Sequence, residues 1–167
     1  MCRATVRQGV RHAWVHPARL HDAVRTRDLL WFNWPHLSSA QFSMSHPTQR
    51  VVVMGASHKP ERYSNQAIRL LREHGHQVVP VHPRLDTVEG LPVAHHLGEI
   101  DGRVDTLTLY VGPAISSVAA EAIVQLRPRR VIFNPGTENP ELEARLDQAG
   151  IAHEQACTLV LLRTAQF

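Results

Sequence analysis

The residues best suited to chemistry lie in one stretch, Gly55-Ala56-Ser57-His58-Lys59-Pro60-Glu61-Arg62-Tyr63-Ser64-Asn65. A glycine there lets backbone come close to a ligand with no Cβ in the way. If a helix starts near Ser64, its free amides and the positive end of its dipole favour an anion, phosphate above all. Lys59, the single lysine against 17 arginines, and Arg62 then meet the remaining phosphate charge, Lys as a point charge and Arg as a fork. The same residues also suit an ordinary strand-to-helix turn whose charges are solvated. Two nucleotide sites have little support. The dinucleotide fingerprint needs three glycines and only Gly55 is present, while Lys59 is followed by Pro60 and not by the Ser or Thr of a Walker loop.

Other reactive groups form no recognisable set. Cys157, in Glu154-Gln155-Ala156-Cys157-Thr158, is the one thiol in a suggestive place. As a candidate redox residue it would form a mixed disulfide with a thiol ligand, whereas unpaired cysteine is more commonly a buried structural residue. Of the 12 histidines, His74, His76, His95 and His96 read as surface or loop residues, and neither His pair finds a third metal ligand at familiar spacing. Glu138 and Glu141 suit the first turn of a helix, where the dipole favours acids. No catalytic set and no metal site is assigned.

The elements that must position these residues follow from apolar patterning. Val51, Val52, Val53 and Met54 form a continuous apolar run, the mark of a strand buried on both faces, and it ends at Gly55. Ser64 or Asn65 can cap a helix carrying Ala67, Ile68, Leu70 and Leu71, with Gly75 placed to stop it. Val78–Val81 and Thr106–Val111 read as strands two and three. One helix is expected from Pro113 to Leu126, with its stripe of Ala114, Ile115, Val118, Ala119, Ala122, Ile123 and Leu126 facing the sheet. Val131–Phe133, a helix over Pro140–Ala149 closed by Gly150, and Ile151–His153 complete the pattern. Such alternation predicts an α/β, Rossmann-like, doubly wound fold: a mainly parallel five-stranded sheet with helices on both faces.

Residues 1–49 are set apart as an extension. They hold all three Trp, five His, and six Arg against two acids, with no sustained apolar period; a mobile tail is expected, and Met44 offers an internal translation start that would leave residues 1–43 without function. Residues 50–167 form the domain and carry 12 basic against 13 acidic side chains, so a nucleic-acid surface is not expected. Two distant cysteines and no apolar span of bilayer length suggest a cytoplasmic protein without disulfides or membrane contact.

Ligands of an open parallel sheet bind beyond the carboxyl ends of its strands, which selects the loops after Met54, Val81, Val111 and Phe133. In and beyond those loops the sequence Gly-Ala-Ser-x-Lys-Pro-x-Arg-Tyr-Ser-Asn, then Val81-His82-Pro83, Leu91-Pro92-Val93, Tyr110-Val111-Gly112-Pro113, Asn134-Pro135-Gly136-Thr137-Glu138-Asn139 and Ala156-Cys157-Thr158-Leu159-Val160, resembles the small bacterial CoA-binding domain proteins. These in turn resemble the CoA-binding domain of the succinyl-CoA synthetase α subunit. The resemblance covers about residues 50–167. It implies that Gly55, Ala56, Ser57, Lys59, Arg62, Tyr63, Ser64 and Asn65 hold the pyrophosphate region of coenzyme A. His82, Pro83 and Arg84 then lie towards the adenosine, where the family often has Asn-Pro in place of His-Pro. Val111, Gly112 and Pro113 line the ligand path, and Asn134, Pro135 and Gly136 form the neighbouring wall.

The synthetase's phosphorylated histidine belongs to a second domain that this chain is too short to contain. The expected function is therefore binding of CoA or an acyl-CoA by a non-catalytic carrier, sensor or accessory module, as a homodimer or with a protein partner. The competing reading is an enzyme in the same pocket, either CoA-linked redox chemistry at Cys157 or an NAD(P)-binding dehydrogenase.

Overall fold

The computed structural model describes residues 47–167; the expectations for a tail and for an internal start at Met44 lie outside the described residues. The elements run β1 (Arg50–Met54), α1 (Tyr63–Glu73), β2 (Gln77–Val81), β3 (Thr87–Val88), β4 (Leu91–Pro92), a 3-10 turn (Leu97–Glu99), β5 (Thr106–Leu109), α2 (Pro113–Val118), α3 (Ala120–Leu126), β6 (Arg130–Phe133), α4 (Pro140–Ala149), β7 (Ala152–Gln155) and α5 (Thr158–Arg163). Five strands form one sheet in the order β2-β1-β5-β6-β7. Every pair in it is parallel. The expected doubly wound Rossmann-like architecture is the one observed.

The continuous apolar run of β1 is explained by its central place. Val51 and Val53 face a core shared with Ile68 and Leu71 of α1 and Leu162 of α5. Val52 and Met54 face the opposite core, with Ile123 of α3 and Leu142 and Leu146 of α4. Helices thus cover both faces, and each strand step buries a side chain on one of them. Helix α1 stops as expected: Gly75 adopts φ +80°, its N–H donates to Arg72 O, and the next amide donates to Leu71 O. Gly150 closes α4 in the same left-handed region.

Three expectations about elements are corrected. The single helix over Pro113–Leu126 is two, α2 and α3, meeting at Ala119. Its apolar stripe does not all face the sheet, since Ile115 and Val118 are 56% and 87% exposed. Strand three ends at Leu109 instead of Val111. Two elements had gone unassigned in the sequence. One is the β3–β4 hairpin, whose two-residue turn Glu89-Gly90 places both residues at positive φ, as a type I′ turn requires. The other is α5, which Asn134 initiates from a distant loop by accepting the Thr158 N–H at 2.9 Å.

His76 is likewise not a surface residue. It is buried, accepts the Gln49 N–H on Nδ1, and packs its ring against Phe167.

Candidate functional site

Strands β1 and β5 are adjacent, yet β1 leads towards β2 on one side and β5 towards β6 on the other. The chain therefore reverses its winding between them, and the loops leaving that point diverge and open a crevice. A cavity of about 1400 Å³ occupies it. Its floor is the carboxyl ends of β1 and β2, Met54 and Val81, and its walls are the loops that follow each strand.

The loop after β1 is shaped by its neighbours. Gly55 has φ +92°, and a Cβ there would lie 2.8 Å from Val111 Cγ1 and 3.0 Å from the Tyr110 carbonyl. The close approach served by this glycine is thus to the end of β5, as well as to the open crevice. The Gly55 and Ala56 amides both donate to Val81 O at 3.1 Å and are directed at β2. Ser57 Oγ accepts the Lys59 N–H, holding the bend. Arg62 is the N-cap of α1 and supplies no side-chain cap, so neither Ser64 nor Asn65 plays the capping role expected of it. The first-turn amides of α1 are left without an intrahelical or side-chain acceptor at the cavity wall.

Asn65 holds this loop instead of facing the cavity. It is fully buried, and its Nδ2 donates to Ser57 O at 2.9 Å and to Glu89 Oε1 at 2.8 Å, tying the loop to the β3–β4 turn. Both partners are acceptors, which fixes the amide orientation. Of the residues expected at the ligand, Gly55, Ala56, Ser57, Lys59, Arg62, Tyr63 and Ser64 line the cavity. So do His82, Pro83 and Arg84, then Val111 and Gly112, and finally Asn134, Pro135 and Gly136. Asn65 and Pro113 do not; Pro113 opens α2 as an exposed residue at the first helical position.

Asn134 reaches the wall but is committed to the framework. Its Nδ2 donates to Thr108 Oγ1 at 2.7 Å and Leu109 O at 3.0 Å, and its Oδ1 starts α5. Asn139 caps α4 through the Leu142 N–H and also donates to Ser116 and Ser117 Oγ. Glu138 precedes that cap and is not in the helix's first turn, which holds Glu141 and Glu143. Its carboxylate accepts the Gly136 N–H at 2.9 Å, and its own amide together with that of Gly136 holds its pKa below the usual value.

The charge around the cavity is one-sided. Lys59, Arg62 and Arg84 line it together with His58, His82, His95 and His96, and no carboxylate does among the described residues. All of these come from the chain between β1 and the 3-10 turn. The segments after β5, β6 and β7 contribute no charged side chain; they present Val111, Ile115, Ala119, Ala122, Cys157 and Leu159. Burial, then Arg84 and His58, lower the pKa of His82.

Tyr110, also at the wall, has its hydroxyl buried and without a hydrogen-bond partner among the described residues. Burial pushes its pKa up to about 12, which the nearby Thr158 and Thr108 hydroxyls, bonded to each other at 2.7 Å, only partly oppose.

Sequence reasoning had not placed His95 and His96 at this cavity, and had placed Cys157 there only in the competing redox reading. Cys157 is half-buried at the N-cap of α5 and lines the uncharged side, so the expectation of a core cysteine is corrected. The apolar members Ile115, Ala119 and Ala122 were read as a sheet-facing stripe. The helix breaks at Ala119, and all three line the crevice.

Comparisons with known proteins agree with this fold. A solved uncharacterized protein is 38% identical, with TM-score 0.69 over 73% of this chain and 100% of its own. A protein of Thermus thermophilus solved as cell-free ID.343 is 29% identical, with TM-score 0.67 over 72% of this chain and 91% of its own. The Bacillus subtilis (strain 168) protein YneT is 30% identical over 63 residues, 38% of this chain and 47% of the relative. The aligned part of the chain thus spans about half the length of the curated relative it matches. The family model described as "CoA binding domain" matches residues 49–163, so the chain belongs to the CoA-binding domain family.

Proposed function

We propose that the domain binds coenzyme A or an acyl-CoA across the β1/β5 crevice and acts as a non-catalytic carrier, sensor or accessory module. One observation carries this reading: among the described residues the cavity is lined on one side by three fixed cations and four histidines with no carboxylate, and on the other by uncharged, largely apolar side chains. CoA divides in the same way, into a phosphorylated ADP head and a neutral pantetheine arm. Lys59, Arg62 and the uncapped first turn of α1 take the pyrophosphate. Val111, Ile115 and Leu159 flank the pantetheine arm, with Cys157 towards its thiol end.

The lining contains no nucleophile paired with a base and no pair of carboxylates, and no reaction is assigned to it. NAD(P) fits less well. Its second nucleoside would place a charged nicotinamide ring and a second ribose against the apolar side.

Thermal unfolding with added ligand tests the assignment. At a concentration 100 times the dissociation constant, CoA should stabilise the fold by about 2.7 kcal/mol. NAD at the same concentration should leave the transition nearly unmoved. Equal shifts, or none with CoA, overturn the reading.

A further inference from the structure

The turn of the β3–β4 hairpin carries a residue type that the turn itself does not call for. Glu89 sits at φ +52°, in the left-handed region that Gly, Asn and Asp occupy more readily. Val88 beside it is buried in the same core as Ala56 of the β1–α1 loop and Ile68 of α1, so the turn is anchored next to that loop. Helix α1 grips Glu89 at two points, two helical turns apart. Arg72 Nη1 donates to the Glu89 carbonyl at 2.8 Å, and Asn65 Nδ2 donates to Glu89 Oε1 at 2.8 Å.

We infer that Glu89 is a positioning residue for the ligand: through Asn65 it fixes the Ser57–His58 peptide with its N–H presented to the pyrophosphate. The inference rests on the proposed CoA reading and deepens it.

The chain of contacts is short. Asn65 is fully buried, its Oδ1 has no partner among the described residues, and its Nδ2 makes two bonds, one to Glu89 and one to Ser57 O at 2.9 Å. Those two bonds alone orient the amide. The Ser57 carbonyl is thereby turned inward, and in a planar trans peptide the His58 N–H points the opposite way. Ser57, His58 and Lys59 line the cavity, and the His58 N–H has no acceptor among the described residues. The amides of Gly55 and Ala56 donate to Val81 O and that of Lys59 to Ser57 Oγ, so these three are already engaged. The His58 N–H therefore joins the uncapped first turn of α1 as a donor for an anion.

Glu89 itself does not line the cavity. Its role needs an acceptor oxygen and not a charge, and a negative charge behind an anion site works against the ligand. That opposition gives two substitutions opposite signs. Glu89→Ala removes the acceptor and leaves a buried amide donor without one of its partners. Glu89→Gln keeps an acceptor of the same reach and removes the charge.

The test is calorimetry of the full chain and both variants with CoA and with ADP, which has the pyrophosphate but no pantetheine arm. Glu89→Ala should weaken both nucleotides by the same factor, about tenfold, the size of a buried donor left unpaired. Glu89→Gln should bind both at least as tightly as the parent, and up to about threefold tighter, the size of one screened charge. Hydrogen exchange of the ligand-free proteins reads the clamp directly. The Lys59 and Arg62 amides should exchange faster in Glu89→Ala and at the parental rate in Glu89→Gln.

Unchanged nucleotide affinity in Glu89→Ala overturns the positioning role, whatever happens to its melting temperature. Equal losses in the two variants overturn it as well, because the charge and not the acceptor would then matter. Failure of the parent to bind CoA would instead sink the CoA reading, and the exchange rates would still decide whether Glu89 holds the loop.

Discussion

The two ends of the same sheet treat their cations in opposite ways. At the amino ends of the strands, Arg130 donates to Thr106 Oγ1 and to Glu154 at 3.0 Å and stacks over Phe167, while Arg103 and Arg129 both approach Asp105. At the carboxyl ends, Lys59, Arg62 and Arg84 surround a cavity with no carboxylate in its lining among the described residues. Arginine at the first end closes the framework by satisfying neighbours. At the second end the same residue type is held without an internal partner, and charge left in that condition is available to a ligand. The asparagines divide similarly, since Asn134 and Asn139 spend their polar atoms on strands and helix starts although their loop borders the cavity.

The comparison breaks if binding and stability do not separate along it. The largest effect is expected for Lys59→Ala combined with Arg62→Ala. Losing two charge-assisted contacts should weaken CoA binding on the order of a hundredfold and flatten its salt dependence. The melting temperature should hardly change, because both side chains are exposed. Titration calorimetry at two salt concentrations reads the first outcome, and a large loss of stability would show that these cations belong to the framework after all.

Arg130→Ala should do the reverse. Removing a mostly buried side chain with an ion pair, a hydroxyl contact and a ring contact should cost about 2 kcal/mol in denaturant unfolding and leave CoA affinity unchanged. A changed affinity would mean that the two ends communicate.

Glu138 sharpens the boundary between the two regimes, as it follows the lining residues Gly136 and Thr137 yet satisfies an amide of its own loop. Its pKa is depressed in the folded state, so the stability it contributes is present above its ordinary value of 4.5 and is lost as the pH falls below that value. The smallest effect follows: Glu138→Gln should lower the melting temperature slightly at neutral pH, and the difference from the parent should shrink as the pH falls below 4.5 and disappear once the carboxyl is protonated in the folded state. A difference that persists in acid would assign it to packing and not to charge.

Much of this molecule is legible in its residues, for local reasons. The four-residue apolar run before Gly55, the Gly75 stop and the Gly150 stop are each decided by backbone sterics and by which faces a strand must bury, so short windows suffice. The β3–β4 hairpin also had a local signal, Glu89-Gly90 between Val88 and Leu91, though Glu at positive φ is an uncommon choice and strands of two residues carry little periodicity. The candidate site was less legible. Asn65 looked like a cap because its place in sequence suited one, yet a carboxylate 24 residues away claims its amide. The stripe from Ala114 to Leu126 looked like one sheet-facing helix because periodicity records which side chains share a face and not what that face meets.

The sequence by itself determined the alternation of strands and helices, the glycine positions and the basic character of the loops after β1 and β2, all of which follow from interactions within a few residues. The tertiary structure alone decided the strand order β2-β1-β5-β6-β7, the placing of Cys157 and Ile115 beside Lys59 and Arg84 on one crevice, and the burial of Asn65 and His76. Those outcomes depend on which distant segments share a space. Only the winding of the chain about β1 and β5 sets that.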